Sequence, residues 1–68
     1  MAEIITAVYA SADTLANVRN DLIATGIPQE KIRVSEAKMQ VQVVGPETAE
    51  AEIEEILKRH LPTEIHTS

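Results

Sequence analysis

Apolar and polar residues alternate through residues 31–44, and the phase of that alternation changes midway. The apolar positions are Ile32 and Val34 on even numbers, followed by Met39, Val41 and Val43 on odd numbers. Successive side chains of a β-strand point to opposite faces, so one straight strand would send these two groups to opposite sides of a sheet. If a single core receives both groups, the chain must fold back, or carry a bulge, around Ser35–Lys38.

This change of phase predicts two strands, at 31–35 and 38–44, that form a hairpin. Their connection contains no Gly, Asn or Pro, which disfavours a two-residue turn. A four-residue type I turn through Ser35–Lys38 is compatible with the residues present. One alternative stays open, in which residues 31–44 form one long bent strand that two subunits share.

A strand and a helix are predicted in the first third of the chain. Residues 3–10 are rich in β-branched and apolar residues, which is typical of a central strand buried on both faces. Which of its two faces meets the helices stays open. A helix over about 12–25 follows, because Ser11 is a good N-cap and Gly26 and Pro28 end the periodic pattern. The apolar stripe of this helix consists of Leu15, Val18 and Leu22.

The last third repeats the order of helix and strand. Gly45-Pro46 is predicted to break the preceding strand, and Thr48 is a candidate N-cap. Pro62 ends the helix, and a short strand at Thr63–Thr67 would turn Ile65 inward. The apolar stripe of this second helix consists of Ala49, Ile53, Ile56, Leu57 and His60.

Assembled in this order, the elements predict a βαββαβ domain of the α+β class that spans residues 1–68 as a single domain. Two helices would cover one face of a four-stranded antiparallel sheet with the spatial order 4-1-3-2. Right-handed crossovers place both helices on the same side of that sheet. The predicted architecture is therefore the ferredoxin-like sandwich.

Composition disfavours several classes of function. The chain has no cysteine, which removes disulfides, thiolate metal sites and thiol nucleophiles. Tyr9 is its one aromatic residue, too few for a stacking surface that binds single-stranded nucleic acid. A net charge of −5 disfavours nucleic acid and anionic lipid as partners, and no stretch reaches transmembrane length. A soluble cytoplasmic protein is expected, whose small core would gain from association.

The sheet face that no helix covers is the candidate interaction face. Alternation along the strands places on it the polar residues Lys31, Arg33, Lys38, Gln40, Gln42 and His66. Most of the acid, by contrast, is expected on the helix side of the molecule, where the second helix alone carries Glu50, Glu52, Glu54 and Glu55. Three cations on an open sheet could receive an anionic partner or a second copy of the protein. A solvated sheet face without a partner is the alternative interpretation.

No motif in the sequence points to catalysis, a cofactor or a metal. His60 and His66 are the only histidines, and their spacing matches no helical pair of metal ligands. No catalytic residue, cofactor or metal ligand is therefore predicted. One loop is a candidate for binding a small molecule, because the N-terminus of the first helix leaves backbone N–H groups free there. This loop consists of Ser11, Ala12 and Asp13.

Three families of small ferredoxin-like domains resemble this chain. In length and element order it is similar to heavy-metal-associated domains, although their Cys-x-x-Cys would fall near Ser11 and is absent, so metal transfer is not implied. Residues 14–27 resemble the first helix of ACT-type regulatory domains, which bind small metabolites at subunit interfaces. Residues 8–11, Val-Tyr-Ala-Ser, and 26–32, Gly-Ile-Pro-Gln-Glu-Lys-Ile, resemble stress-protein-like domains.

Two functions follow from these patterns. The leading hypothesis is a small non-enzymatic interaction or regulatory module that self-associates as a homodimer, through the open sheet face or an edge strand. The alternative is a metabolite-binding, ACT-like regulatory domain with its ligand near Ser11–Asp13 or at a subunit interface. An enzyme is not expected, because the sequence contains no recognisable nucleophile or acid–base pair.

Overall fold

A computed structural model describes residues 2–67. The strands are β1 (Ala2–Val8), β2 (Ile32–Ser35), β3 (Gln40–Pro46) and β4 (Glu64–Thr67), and the α-helices are α1 (Ala12–Thr25) and α2 (Glu50–Arg59). The strands form one antiparallel sheet in the order β2-β3-β1-β4, which is 4-1-3-2 read from the other edge. Both helices pack on the same face, so the α+β, ferredoxin-like βαββαβ fold is confirmed.

Helix α1 has the bounds that its sequence predicts. The Oγ of Ser11 accepts a 3.3 Å hydrogen bond from the backbone N–H of Thr14, which satisfies one of the free donors of the first turn. Gly26 ends the helix at φ 111°, a left-handed conformation that favours glycine. The stripe of Leu15, Val18 and Leu22 is fully buried, as expected.

The core lies between the helices and one face of the sheet. Ile5, Ala7 and Tyr9 point toward the helices and are buried, whereas Ile4 points away and is 41% exposed. The structure thereby determines which face of β1 meets the helices, a point that its nearly continuous apolar sequence leaves open. Strand β1 lies between β3 and β4, which confirms its central position.

The hairpin between β2 and β3 is confirmed, but its turn lies one residue later than predicted. The backbone N–H of Met39 donates to the carbonyl of Glu36 at 3.3 Å, and Met39 has φ 54°. Lys38 and Met39 therefore belong to the turn and not to a strand. Met39 nevertheless packs against the core, as its odd phase indicates.

Other boundaries also differ from the prediction: β1 ends at Val8 and not at residue 10, and β4 begins at Glu64 and not at Thr63. Lys31 lies in a short 3₁₀ turn at Gln29–Lys31, ahead of β2. Gly45 and Pro46 do not break β3 but pair with the start of β1, where a proline at the end of a strand is tolerated. Thr48 is not an N-cap, because it lies in a second 3₁₀ turn and Ala49 precedes α2 without a side-chain cap.

The prediction that Val34 belongs to the core is wrong. It pairs with the buried Val41, so it lies on the helix side of the sheet as predicted, yet it is 38% exposed. The reason is that β2 is an edge strand, and the helices lie over the centre of the sheet. Parity along a strand fixes the face of a residue but not its distance from the edge.

Candidate functional site

The open face of the sheet presents its side chains in cross-strand rows. One row crosses all four strands, because Arg33 pairs with Gln42, Gln42 with Thr6, and Thr6 with His66. At its centre the Nε2 of Gln42 donates a 3.2 Å hydrogen bond to the Oγ1 of Thr6. This bond gives each of these two polar side chains a hydrogen-bond partner within the face. The charged side chains of the row lie at its two edges.

Charge on this face is divided between its two edges. The neighbouring row consists of Ser35, Gln40, Val8 and Glu64. Glu64 lies two residues from His66 on β4, and its Oε2 is 3.5 Å from the Nε2 of His66. Arg33, on β2, is exposed at the opposite edge. A third row of Ile4 and Val44 adds an apolar end to the face.

Four of the six residues predicted for the interaction face therefore lie in the rows of the open sheet: Arg33, Gln40, Gln42 and His66. The other two do not lie on a strand. Lys38 is in the hairpin turn, and Lys31 is in the 3₁₀ turn that precedes β2. The spacing of two residues that linked Lys31 to Arg33, and Lys38 to Gln40, does not fix a face beyond the ends of a strand.

The predicted ligand loop lies at the end of the sheet where β1 finishes. Ser11, Ala12 and Asp13 are all exposed. The Oγ of Ser11 is 2.8 Å from the Oγ1 of Thr14 and also accepts from the Thr14 backbone N–H. Ser11 is thus engaged in capping its own helix.

A groove of about 470 Å³ lies at the opposite end of the sheet, beside the residues that pair with the start of β1. Its apolar lining consists of Ile27, Pro28, Val44, Pro46, Ala49 and Ile53. Among residues 2–67, Lys31 is the one charged residue of the lining. The sequence gives little sign of this groove, because its walls come from two chain segments whose proximity depends on the topology.

Gly45 forms part of this groove and has a packing role there. A Cβ at this position would lie 3.0 Å from the Cδ1 of Ile53. Glycine therefore leaves room for the end of the Ile53 side chain at the edge of the groove.

Glu3 lies on the helix side of the sheet among other acids, an arrangement that sequence analysis did not identify. Partial burial raises the pKa of Glu3, and the nearby charges of Glu50, Glu47 and Glu54 raise it further. Its Oε2 is shielded from solvent and has no hydrogen-bond partner among residues 2–67. Glu3, Ile5 and Ala7 all have odd numbers, so the alternation along β1 indicates that Glu3 lies on the same face as these two core residues. Within the described chain, no three side chains of the metal-ligating types gather into a site.

A polar cluster joins the two helices on the outer surface. The Oδ2 of Asp21 on α1 is 2.9 Å from the Nε2 of His60 and 3.3 Å from the Nη1 of Arg59. The backbone N–H of His60 donates to the carbonyl of Leu57, so His60 forms the C-cap of α2. These contacts give His60 and Asp21 a structural role.

Comparison of the chain with protein-family models, with curated proteins and with solved structures found no match. The three family resemblances therefore gain no support from these comparisons, and the observed fold alone is established. None of the helices in the described part of the chain has the length and apolar character needed to span a bilayer.

Proposed function

We propose that this protein is a small non-enzymatic interaction module that forms a homodimer through the open face of its sheet. The observation that carries the proposal is the division of charge on that face. Arg33 lies at the β2 edge, and Glu64 with His66 lies at the β4 edge. A surface with opposite charges at its two edges is complementary to a second copy of itself.

The symmetry of such a dimer follows from the order of the strands. A two-fold axis parallel to the strands, between β1 and β3, lays β2 of one copy across β4 of the other. Arg33 of each copy then faces the row that contains His66 of the other, with Glu64 within reach of the long arginine side chain. The mutually bonded Thr6 and Gln42 lie at the centre, where no charge is buried.

The area of the face predicts a dimer of modest affinity. Four strands about 4.8 Å apart and at most seven residues long give a flat footprint of roughly 300–400 Å² per copy. For two copies this is a total of about 600–800 Å², which is below the roughly 1,200–2,000 Å² of stable specific interfaces and corresponds to a weak, transient association. We therefore expect a dissociation constant of about 1–100 μM, which corresponds to a binding free energy of about −5.5 to −8 kcal/mol.

Two further observations support the non-enzymatic part of the proposal. Ser11 is engaged in a helix cap, and His60 is engaged with Asp21 between the helices. Neither lines the groove, whose charged lining residue in the described part of the chain is Lys31. The cytoplasmic location expected from the sequence is part of the same proposal.

Sedimentation velocity over a dilution series, from about 1 mM to about 1 μM, tests this function. The mean mass is expected to fall from dimer to monomer across that range. Gln42→Lys places a like charge at the centre of the face in both copies, and we expect it to weaken the dimer at least tenfold, a loss of about 1.4 kcal/mol. Asn17→Lys adds the same charge to the exposed surface of α1 and serves as the matched control.

A protein that stays monomeric throughout the series would overturn the proposal. If Gln42→Lys and Asn17→Lys dimerise equally strongly, the open face is not the interface. The exposed edge of β2 would then be the next candidate.

A further inference from the structure

The groove at the end of the sheet has the size of a small-molecule site. Its volume of about 470 Å³ lies within the range of about 300–1,000 Å³ that is typical of ligand pockets. Ile27 and Pro28 follow α1, whereas Val44, Pro46 and Ile53 belong to β3 and α2. Two segments that are distant in the sequence thus form an apolar concavity on a surface that is otherwise rich in charge.

The backbone at the rim of the groove offers few hydrogen-bond donors. The N–H of Gly26 donates to Ile23, that of Ile27 to Leu22, and that of Lys31 to Pro28, all within the chain. Pro28 and Pro46 have no N–H at all. A ligand in this groove therefore meets apolar side chains over most of its surface and has one strong polar partner available to it, the Lys31 ammonium group.

Lys31 is exposed and is not part of any ion pair among residues 2–67. A lysine ammonium is a compact point charge that suits a single anionic group. A phosphate with two charges gains most from several donors and from the bidentate geometry of arginine, and this lining offers neither.

From these observations we propose that the groove binds a small carboxylic acid with an apolar body, whose carboxylate pairs with Lys31. The apolar body lies against Ile27, Ala49 and Ile53, and the carboxylate remains at the rim, where water still reaches it. The groove shares Val44 with the open face but contains neither Arg33 nor Glu64, so the charge that would bind the carboxylate is separate from the charges of the proposed dimer.

Titration with sodium octanoate, followed by amide chemical shifts of the labelled protein, tests the proposal. Octanol has the same chain length without the charge and is the matched ligand. For a ligand of about ten heavy atoms, we expect saturable shifts at Gly26, Ile27, Lys31, Gly45 and Ala49 with a Kd of about 1–10 mM. We expect octanoate to bind roughly two- to fivefold more tightly than octanol, the gain typical of one exposed ion pair.

Two lysine variants separate the charge at the groove from charge in general. Lys31→Met keeps most of the apolar stem and removes the ammonium group, so we expect it to abolish the preference for octanoate over octanol. Lys38→Met makes the same change in the hairpin turn and should leave the preference intact. Ala49→Leu narrows the groove, and we expect it to weaken both ligands at least threefold while the melting temperature shows that the variant folds.

Three results would overturn the proposal: no saturable shift at the groove amides, equal binding of octanoate and octanol to the unchanged protein, or an unaltered preference in Lys31→Met. Groove shifts that appear on concentrating the protein alone, and that octanoate does not reverse, would identify a second copy as the occupant and would also contradict it. A protein that is monomeric but binds octanoate would refute the proposed dimer and would still support the proposed ligand site.

Discussion

The phenol of Tyr9 donates a 2.7 Å hydrogen bond to the backbone carbonyl of Leu57. Tyr9 directly follows β1, and Leu57 lies in the last turn of α2, so this bond joins the sheet to the helix across 48 residues of sequence. The backbone N–H of Tyr9 also donates to Met39 in the hairpin turn. Because Tyr9 is 2% exposed, this contact belongs to the core.

Tyr9→Phe is expected to lower the free energy of unfolding by about 1–2 kcal/mol. The variant keeps the buried ring but leaves the Leu57 carbonyl without its side-chain donor. Denaturant unfolding measures the loss. A variant as stable as the original protein would show that the hydrogen bond contributes nothing net.

The same residue predicts a pH dependence in alkali. Burial raises the pKa of Tyr9 from 10.0 to about 12, so between these values the folded protein binds more protons than the unfolded chain. Stability is therefore expected to fall as the pH rises from about 10 to about 12. Tyr9→Phe removes the part of this slope that is due to the phenol. Equal slopes in the two proteins would contradict the assignment, and phenolate absorbance reports Tyr9 alone because the chain has no other tyrosine.

Glu3→Gln is expected to stabilise the protein at neutral pH. The pKa of Glu3 is raised above its ordinary value of 4.5 by burial and by the charges of Glu50, Glu47 and Glu54, so the folded state favours the protonated form. Stability from this group falls as the pH rises from 4.5 through the folded pKa. Removing the charge removes that loss, while the amide keeps the shape of the side chain.

Glu55→Gln is the matched control for Glu3, because it makes the same change at an exposed position of α2. Thermal unfolding between about pH 4 and pH 8 should show a higher and flatter profile for Glu3→Gln than for the control. If the two variants have the same profile, the acidic surroundings of Glu3 do not affect folding.

Leu61→Gly is expected to stabilise the protein by about 0.5–1 kcal/mol. Leu61 follows α2 at φ 56° and is 85% exposed, so its side chain is held in a left-handed conformation with little packing in return. Glycine adopts this conformation without steric cost, and that gain exceeds the added entropy of the unfolded chain. Leu61→Ala retains the Cβ and should leave stability within about 0.5 kcal/mol. Destabilisation by Leu61→Gly, measured in denaturant, would show that the exposed leucine packs in solution.

The topology could be predicted from the sequence because it depends on local patterns. The change of phase between Val34 and Met39 predicted the hairpin, and Ser11 and Gly26 delimited α1 correctly. Turn geometry was less predictable, since the left-handed Met39 moved the turn by one residue.

Properties that depend on the position of a strand within the sheet could not be predicted from the sequence pattern. The exposure of Val34 follows from the edge position of β2. The groove requires that Ile27 and Pro46 meet, and the cluster around Glu3 requires that β1 begins beside α2. Each arises from contacts between segments that are far apart in the chain, for which periodicity carries no signal.

Charge reversal tests the dimer most directly. In Arg33→Glu, the proposed contact with Glu64 of the other copy becomes a repulsion between two acids, and Glu64→Arg produces the equivalent repulsion between two arginines. When the two variants are mixed, both contacts of the mixed dimer pair opposite charges again. Circular dichroism checks that each variant folds before it is mixed.

The decisive measurement is therefore the mean mass, by sedimentation equilibrium, of Arg33→Glu alone, Glu64→Arg alone and their equimolar mixture, at a concentration where the unchanged protein is dimeric. The proposed interface predicts monomers for each variant alone and a dimer for the mixture. Variants that dimerise alone, or a mixture that stays monomeric, would contradict it.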